Sequence, residues 1–342
     1  MVHGGRALLK PLPIDLGTNE NNAYGLLTSA LTALEPIGMK WCRSEIPWNY
    51  NAYGSLVGFE TTVGVYSSSL ISFLVSEASI MSTYNFKPLW LFNSGTSPGL
   101  SSTWSSGVPV TPAQFGTAAG QLVSMLAAQG LTGQHFELFN EPDNSGGQPI
   151  TPALLVAAFQ AAYPAMKSAD PTCIVHCAPM ENFANNAAGQ GILYKTSCFS
   201  ALPTFYEYYD IDGFHAYCPN GSYTSNVAPN SINAYGVNFA QGVGNWKAAK
   251  IANEDNTPCW ITEFGWGNGG NGGTPQNQRQ WLWDALILLS GIDPINGGQF
   301  SSWLKCAIQF AADNQGAYWG IMGGTDDNSI AIPVLTEVVA GN

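Results

Sequence analysis

Charge is scarce in this chain, and positive charge scarcest. Only 10% of the residues are charged, and 11 Lys and Arg stand against 23 Asp and Glu. The formal charge of -12 repels phosphate backbones and anionic membrane surfaces at long range, so neither nucleic acid nor a membrane is expected as a partner. No uninterrupted apolar run nears the roughly 18 residues that mark a transmembrane helix. The opening segment also lacks the charged, apolar and small-residue succession of a signal peptide. Low lysine content and the sequon Asn220-Gly221-Ser222 nevertheless lean toward a secreted, extracellular or periplasmic address.

The seven cysteines include no C-x-x-C pair, which argues against a zinc site. Cys42, Cys177, Cys259 and Cys306 lie in or beside apolar segments, where a free thiol packs as a small hydrophobe. Cys198 and Cys218 fall near expected loops and could pair in an exported protein, and the odd count leaves at least one thiol free. The stretch 267–273, rich in Gly and Asn, has no Gly-Lys-Ser/Thr ending to cradle phosphate, so it reads as a rim loop. Asp326-Asp327-Asn328 lacks the other ligand positions of a calcium loop and reads as a turn. No metal or organic cofactor is expected.

What is present is apolar and aromatic. Hydrophobic residues make up 45% of the chain, with 11 Trp, 14 Tyr and 16 Phe, which is ample for a large core. The polar remainder is mostly neutral, and neutral hydroxyls and amides beside aromatic rings suit a polysaccharide or oligosaccharide partner. No repeat or proline-rich linker divides the sequence, so residues 1–342 are read as one domain, expected to be a monomer.

Strand-like apolar runs occur at 39–46, 87–92, 135–139, 173–177, 211–215, 260–262 and 305–311, with a weaker opening strand at 12–16. Helical periodicity fills 24–34, 68–84, 112–129, 152–168, 234–253 and 276–289. Thr111-Pro112, Thr151-Pro152 and Thr274-Pro275 each set a hydroxyl N-cap before a first-turn proline. Eight strands alternating with helices predict an α/β fold, a (β/α)8 TIM barrel of one domain with loop insertions.

In such a barrel the C-terminal ends of the strands surround the active site, and here those ends are polar. They carry Arg43 and Glu45, Asn93, Asn140 and Glu141, His215 and Tyr217, Glu263, and Gln309 with Asp313. Glu141 and Glu263 each stand where an apolar run meets a loop. Two carboxyl groups facing one mouth are what glycoside cleavage needs: one protonates the leaving oxygen, and the other attacks the anomeric carbon or activates water. His135 and His176 lie inside apolar runs and read as core residues. Trp48, Trp104 and Trp266 could stack on sugar rings as subsite platforms or serve as buried anchors.

Several motifs together resemble clan A glycoside hydrolases: Asn140-Glu141-Pro142 after the fourth strand, His215-Ala216-Tyr217 after the sixth, and Thr262-Glu263-Phe264-Gly265-Trp266 after the seventh. The stretches 38–43 with Trp48, and 162–171, are similar to family 39 and its exopolysaccharide-degrading relatives; families 5 and 128 are the alternatives. The resemblance spans roughly 13–335. It implies a retaining mechanism with Glu141 as acid/base, Glu263 as nucleophile, Asn140 on the sugar 2-hydroxyl, Arg43 and Tyr217 against the nucleophile, and His215 in the same floor. A cationic Arg43 beside Glu263 would favour its ionised form, while Glu141 must carry a proton. Asn93, Trp48, Trp104 and Trp266 complete the expected substrate-binding set. The resemblance also implies an aromatic residue on the eighth strand, and 309–313 supplies no Trp, leaving Phe310 or Trp319 for that place. The reaction expected is endo cleavage of a β-linked polysaccharide. The alternatives are a catalytically idle carbohydrate-binding barrel, and a β-1,3-glucanase or transglycosylase of the same clan.

Overall fold

A computed structural model describes residues 12–19, 27–49, 57–93, 100, 103, 106–143, 150–180, 190–217, 227–233, 236–266 and 274–310. Eight strands run in chain order: β1 (Asp15–Asn19), β2 (Trp41–Pro47), β3 (Lys87–Asn93), β4 (His135–Leu138), β5 (Ile174–His176), β6 (Asp212–Ala216), β7 (Cys259–Phe264) and β8 (Leu304–Gln309). All pair in parallel, in the spatial order β5-β4-β3-β2-β1-β8-β7-β6. The two ends of this ribbon meet through parallel bridges between His176 and Ile211 and between Met180 and Phe214, which bring the sheet round into a barrel. The expected (β/α)8 TIM barrel is the fold observed.

The intervening helices are α1 (Leu27–Leu34), α2 (Ser68–Thr83), α3 (Pro112–Ala127), α4 (Pro152–Ala169), α5 (Gln190–Ala201), α6 (Phe239–Ala252) and α7 (Pro275–Leu289). Thr111, Thr151 and Thr274 cap α3, α4 and α7 as their Thr-Pro pairs predict, each hydroxyl accepting from a backbone N–H in the first turn. Asn238 and Gln241 add a reciprocal capping box to α6. Helices α3 and α4 approach so closely that a Cβ on Gly116 would stand 2.6 Å from the Ala161 backbone, so only glycine fits there.

One apolar cluster fills the layer between strands and helices, and a second lies inside the barrel, where Trp41, Leu89, Trp260, Cys306 and Ile308 close the floor. His135 and His176 join that floor, with 2.9 Å between His135 Nδ1 and His176 Nε2 and both rings against Trp260. They are core residues, as expected. Outside the barrel, at the start of β6, Asp212 accepts from Lys195 of α5 (2.5 Å) and from Trp246 of α6 (2.8 Å). Lys250 of α6 lies 3.3 Å from Asp212 and donates to Asp255 (2.6 Å). The Lys195 ammonium is also 4.5 Å from the centre of the Tyr209 ring. This buried ionic cluster ties two helices to one strand.

Three expectations are corrected. The first strand begins at Asp15 and runs to Asn19, three residues later than 12–16, because its outer face continues from Ile14 and Leu16 into the buried polar Thr18, while Asp15, Gly17 and Asn19 take the inward positions. Helix α5 has no counterpart in the helical stretches expected. Cys198 sits within α5 as a buried free thiol and not in a loop; Cys42, Cys173, Cys177, Cys259 and Cys306 are also free and buried. Burial pushes the Cys173 thiol up to about 11 and the Cys198 thiol to about 12, so both stay protonated and inert. Cys218, the sequon at 220–222, the loop 267–273 and residues 326–328 lie outside the described residues. Among the described residues, no helix is long and apolar enough to cross a membrane.

Candidate active site

Side chains alternate along a strand, and in β2 that alternation sends Trp41, Arg43 and Glu45 into the barrel, while Ser44 points outward to Glu77 of α2. The Arg43 guanidinium is buried and reaches three residues. It donates from Nε to Glu137 Oε1 (2.6 Å), from Nη1 to Glu263 Oε1 (2.7 Å) and from Nη2 to Asn140 Oδ1 (2.8 Å). Burial works against its charge, but Glu137 and Glu263 more than offset this and raise its pKa further above the ordinary arginine value. Asn19, at the end of β1, steadies the same arginine: its amide nitrogen donates to the Arg43 carbonyl (2.9 Å) and its oxygen accepts from Arg43 Nη1 (3.3 Å).

Glu263 ends β7 with donors on both oxygens, Arg43 on one and the Tyr217 hydroxyl on the other (2.7 Å). Burial and the nearby Glu263 carboxylate raise the Tyr217 phenol well above its usual range, so it stays a proton donor.

Glu141 reaches the same mouth by a kinked backbone. Phe139 and Glu141 both hold positive φ, 65° and 44°, a conformation costing non-glycine residues on the order of 1 to 3 kcal/mol each. The kink is pinned by Phe139 N–H donating to the Phe92 carbonyl (3.0 Å) and Glu141 N–H to the Pro179 carbonyl (3.1 Å). It leaves the Phe139 ring stacked on Phe115 outside the barrel, and Glu141 partly exposed with His215 Nδ1 2.6 Å from its Oε1. His215 Nδ1 is also 3.6 Å from Glu263 Oε2. Burial lowers the His215 pKa to about 4, with the nearby Glu263 charge opposing the shift and Arg43 adding to it, so the imidazole is neutral under ordinary conditions.

One oxygen of Glu141, one ring nitrogen of His215 and one oxygen of Glu263 all lie within 4.8 Å of one another. These are also donors of the kind divalent metals accept. The fold thus brings together Arg43, Asn140, Glu141, His215, Tyr217 and Glu263 from β2, β4, β6 and β7. Asn93, at the end of β3, is nearly buried and gives its amide N–H to Glu45 Oε1 (2.9 Å), so those two form a polar pair at the β2 and β3 ends.

Of the indoles read as either sugar platforms or buried anchors, two are anchors. Trp48 is fully buried, edge-on to Phe115, and donates to Glu60 Oε2 (2.7 Å). Trp266 is fully buried against Phe239 and donates to the Val227 carbonyl (3.0 Å). With both rings enclosed by protein, neither offers a face to a substrate. Trp104, Asp313 and Trp319 lie outside the described residues. Two residues that contact Arg43 escape the motif reading, Glu137 and Asn19. A signal for Glu137 existed: an acid two residues after His135, on the same side of an otherwise apolar strand, must face the barrel interior.

A search of curated proteins finds no match. Among solved structures, the fold resembles a family 39 glycoside hydrolase from the gut symbiont Bacteroides cellulosilyticus WH2, at 16% identity and a TM-score of 0.65, over 98% of this chain and 65% of that one. The chain therefore spans slightly less than two thirds of that protein. Fungal β-1,4-galactanases match at 11% identity and a TM-score of 0.65, over 95% of this chain and 99% of theirs. A family 128 endo-β-1,3-glucanase from Sorangium cellulosum matches at 17% identity and a TM-score of 0.54, over 95% and 98%. At these identities the likeness is one of fold. The sequence model of the glycosyl hydrolase catalytic core matches residues 67–303, which is more than half of the chain and contains β3 to β7 with both Glu141 and Glu263. The chain belongs to the glycosyl hydrolase catalytic core family.

Proposed function

We propose that this glycoside hydrolase is a retaining β-glycosidase in which Glu263 is the nucleophile and Glu141 the acid/base. The observation that supports the reading is that one oxygen of Glu141 and one of Glu263 lie within 4.8 Å of each other, both beside His215 Nδ1, a closest approach that favours the shorter of the two spacings known for such enzymes. Retaining enzymes hold their two carboxyl groups about 5 to 5.5 Å apart, whereas inverting ones need roughly 6.5 to 9.5 Å to admit a water. Glu263 attacks the anomeric carbon, and the glycosidic C–O bond breaks. The leaving oxygen takes its proton from Glu141. Water, deprotonated by Glu141, then attacks the same carbon and releases Glu263 as a carboxylate. Arg43 and Tyr217 aim the nucleophile, His215 orients Glu141, and Asn140 receives the 2-hydroxyl of the sugar. Asn93 and Glu45 offer polar groups to hydroxyls further along the cleft. No step calls for a metal or cofactor.

The substrate we assign is a neutral β-linked polysaccharide cut in mid-chain by a secreted, monomeric, single-domain enzyme. The low cationic content and the amide-rich strand ends support a neutral glycan. The test is a screen of β-1,4-galactan, β-1,3-glucan, xylan, mannan and bacterial exopolysaccharides, with NMR of the first-formed anomer. Release of the retained anomer is expected, with viscosity falling ahead of monosaccharide release. Initial inversion would overturn the nucleophile role of Glu263.

A further inference from the structure

Glu137 takes no part in the two steps just described, yet it is fully buried in the barrel interior on the same strand as the approach to Glu141. Among the described residues the cation that pairs with it is Arg43, whose Nε and Nη2 both close on Glu137 Oε1, at 2.6 and 2.5 Å. Its other oxygen is turned toward the β6 backbone, 3.4 Å from where a Cβ on Gly213 would stand. One guanidinium is therefore shared between two buried carboxylates, Glu137 below and Glu263 above.

That sharing matters because the charges move during the reaction. When Glu263 forms its ester, its negative charge passes to Glu141, which has given up its proton to the leaving oxygen. Arg43 then faces a neutral ester beside a sugar ring that carried positive charge in the transition state. A buried cation stripped of its partner is strongly disfavoured. We propose that Glu137 is a positioning residue that acts as the standing counterion of Arg43: it keeps the guanidinium compensated through the glycosyl-enzyme stage. By sharing Arg43, it also stops that cation from holding Glu263 too firmly to attack. This inference rests on Glu263 being the nucleophile.

The proposal predicts an asymmetry that loosened geometry would not produce. Without the Glu137 charge, Arg43 favours ionised Glu263, so ester formation slows while ester breakdown, which regenerates the carboxylate, does not. The probes are 2-deoxy-2-fluoro-β-glucosyl, galactosyl, xylosyl and mannosyl fluorides, whose inactivation rate reports ester formation and whose reactivation rate reports breakdown. In Glu137→Gln, inactivation should slow by about 10- to 100-fold, with reactivation unchanged or faster. Equal slowing of both rates, or an unchanged inactivation rate, overturns the proposal. If Glu137→Gln does not fold, Glu137→Asp, which keeps the charge but withdraws it from Arg43, must show the same asymmetry to a smaller degree; equal changes overturn it there too. Wild type is the control on the underlying reading. If mass spectrometry finds no fluoroglycosyl group on Glu263, the retaining assignment fails and this inference falls with it. If wild type is labelled and the asymmetry is missing, this inference alone fails.

Discussion

His215 Nδ1 and Glu141 Oε1 stand 2.6 Å apart, and the imidazole is wholly buried. Burial lowers His215 to about 4, lowers His135 to about 4 and puts His176 well below the ordinary 6.5. In the unfolded chain all three take up a proton near pH 6.5, so between about pH 6.5 and 4 the unfolded state binds more protons than the folded one. Stability must then fall as pH falls through that window. Calorimetric melting from pH 7 down to 4 should show Tm dropping, with up to about three protons taken up on unfolding. A flat Tm would rule out the neutral buried histidines. Asp255, lowered to about 2, acts further down: its contribution is complete above pH 3.8 and is lost as pH falls toward 2.

The two carboxylates differ in their dependence on the leaving group. Glu141→Gln should lower kcat/KM on a polysaccharide by at least about 10³-fold, yet recover much of it on dinitrophenyl glycosides, whose leaving group needs no proton. Glu263→Gln should be equally slow on both. Equal recovery in the two variants would exchange or abolish the assigned roles.

Tyr217 gives its hydroxyl proton to one oxygen of Glu263. Tyr217→Phe removes that donor and little volume. Turnover should fall by roughly 10²-fold, the order seen when one preorganised donor is deleted, while Tm moves little. A large Tm loss with unchanged turnover per folded molecule would make Tyr217 structural.

Asp212 sits away from the chemistry, between Lys195, Trp246 and Lys250. Asp212→Ala leaves buried ammonium groups short of a counterion and should cost about 3 to 5 kcal/mol. Urea unfolding measures that loss. kcat at low temperature should stay at the wild-type value.

Trp48→Phe should keep KM unchanged and cost about 1 to 3 kcal/mol, because it leaves Glu60 short of a buried hydrogen-bond donor. A raised KM with unchanged stability would return Trp48 to the role of a sugar platform.

The barrel was legible wherever apolar runs and Thr-Pro caps punctuate the chain, since burial on both faces and capped first turns leave local marks. It was less legible where function intrudes on pattern. Thr18 and Asn19 break the apolar run of β1, Thr18 as a buried polar residue on its outer face and Asn19 because it faces Arg43 inside the barrel, so the strand was expected too early. Helix α5 carries Gly191, Thr196 and Ser197 and lacks a clear apolar stripe. Glu141 and Glu263 stood out because their short motifs fall at strand ends. Glu137 did not, because a charge inside a strand is explained only by a partner 94 residues away. Trp48 and Trp266 stayed undecided between platform and anchor for the opposite reason: their neighbours are those of loops, and only the folded chain supplies the Glu60 carboxylate and Val227 carbonyl that let the indoles be buried.

The barrel is a ribbon whose two free edges meet beside Glu141 and His215. Glu141 hangs from one edge, its N–H on the Pro179 carbonyl, and His215 rides the other, its N–H on the Met180 carbonyl. Those adjoining carbonyls form a clasp. If the clasp opens before the continuous ladders of the sheet, Glu141 and His215 part first, and activity is expected to be lost on heating at a lower temperature than the far-ultraviolet circular dichroism of the barrel.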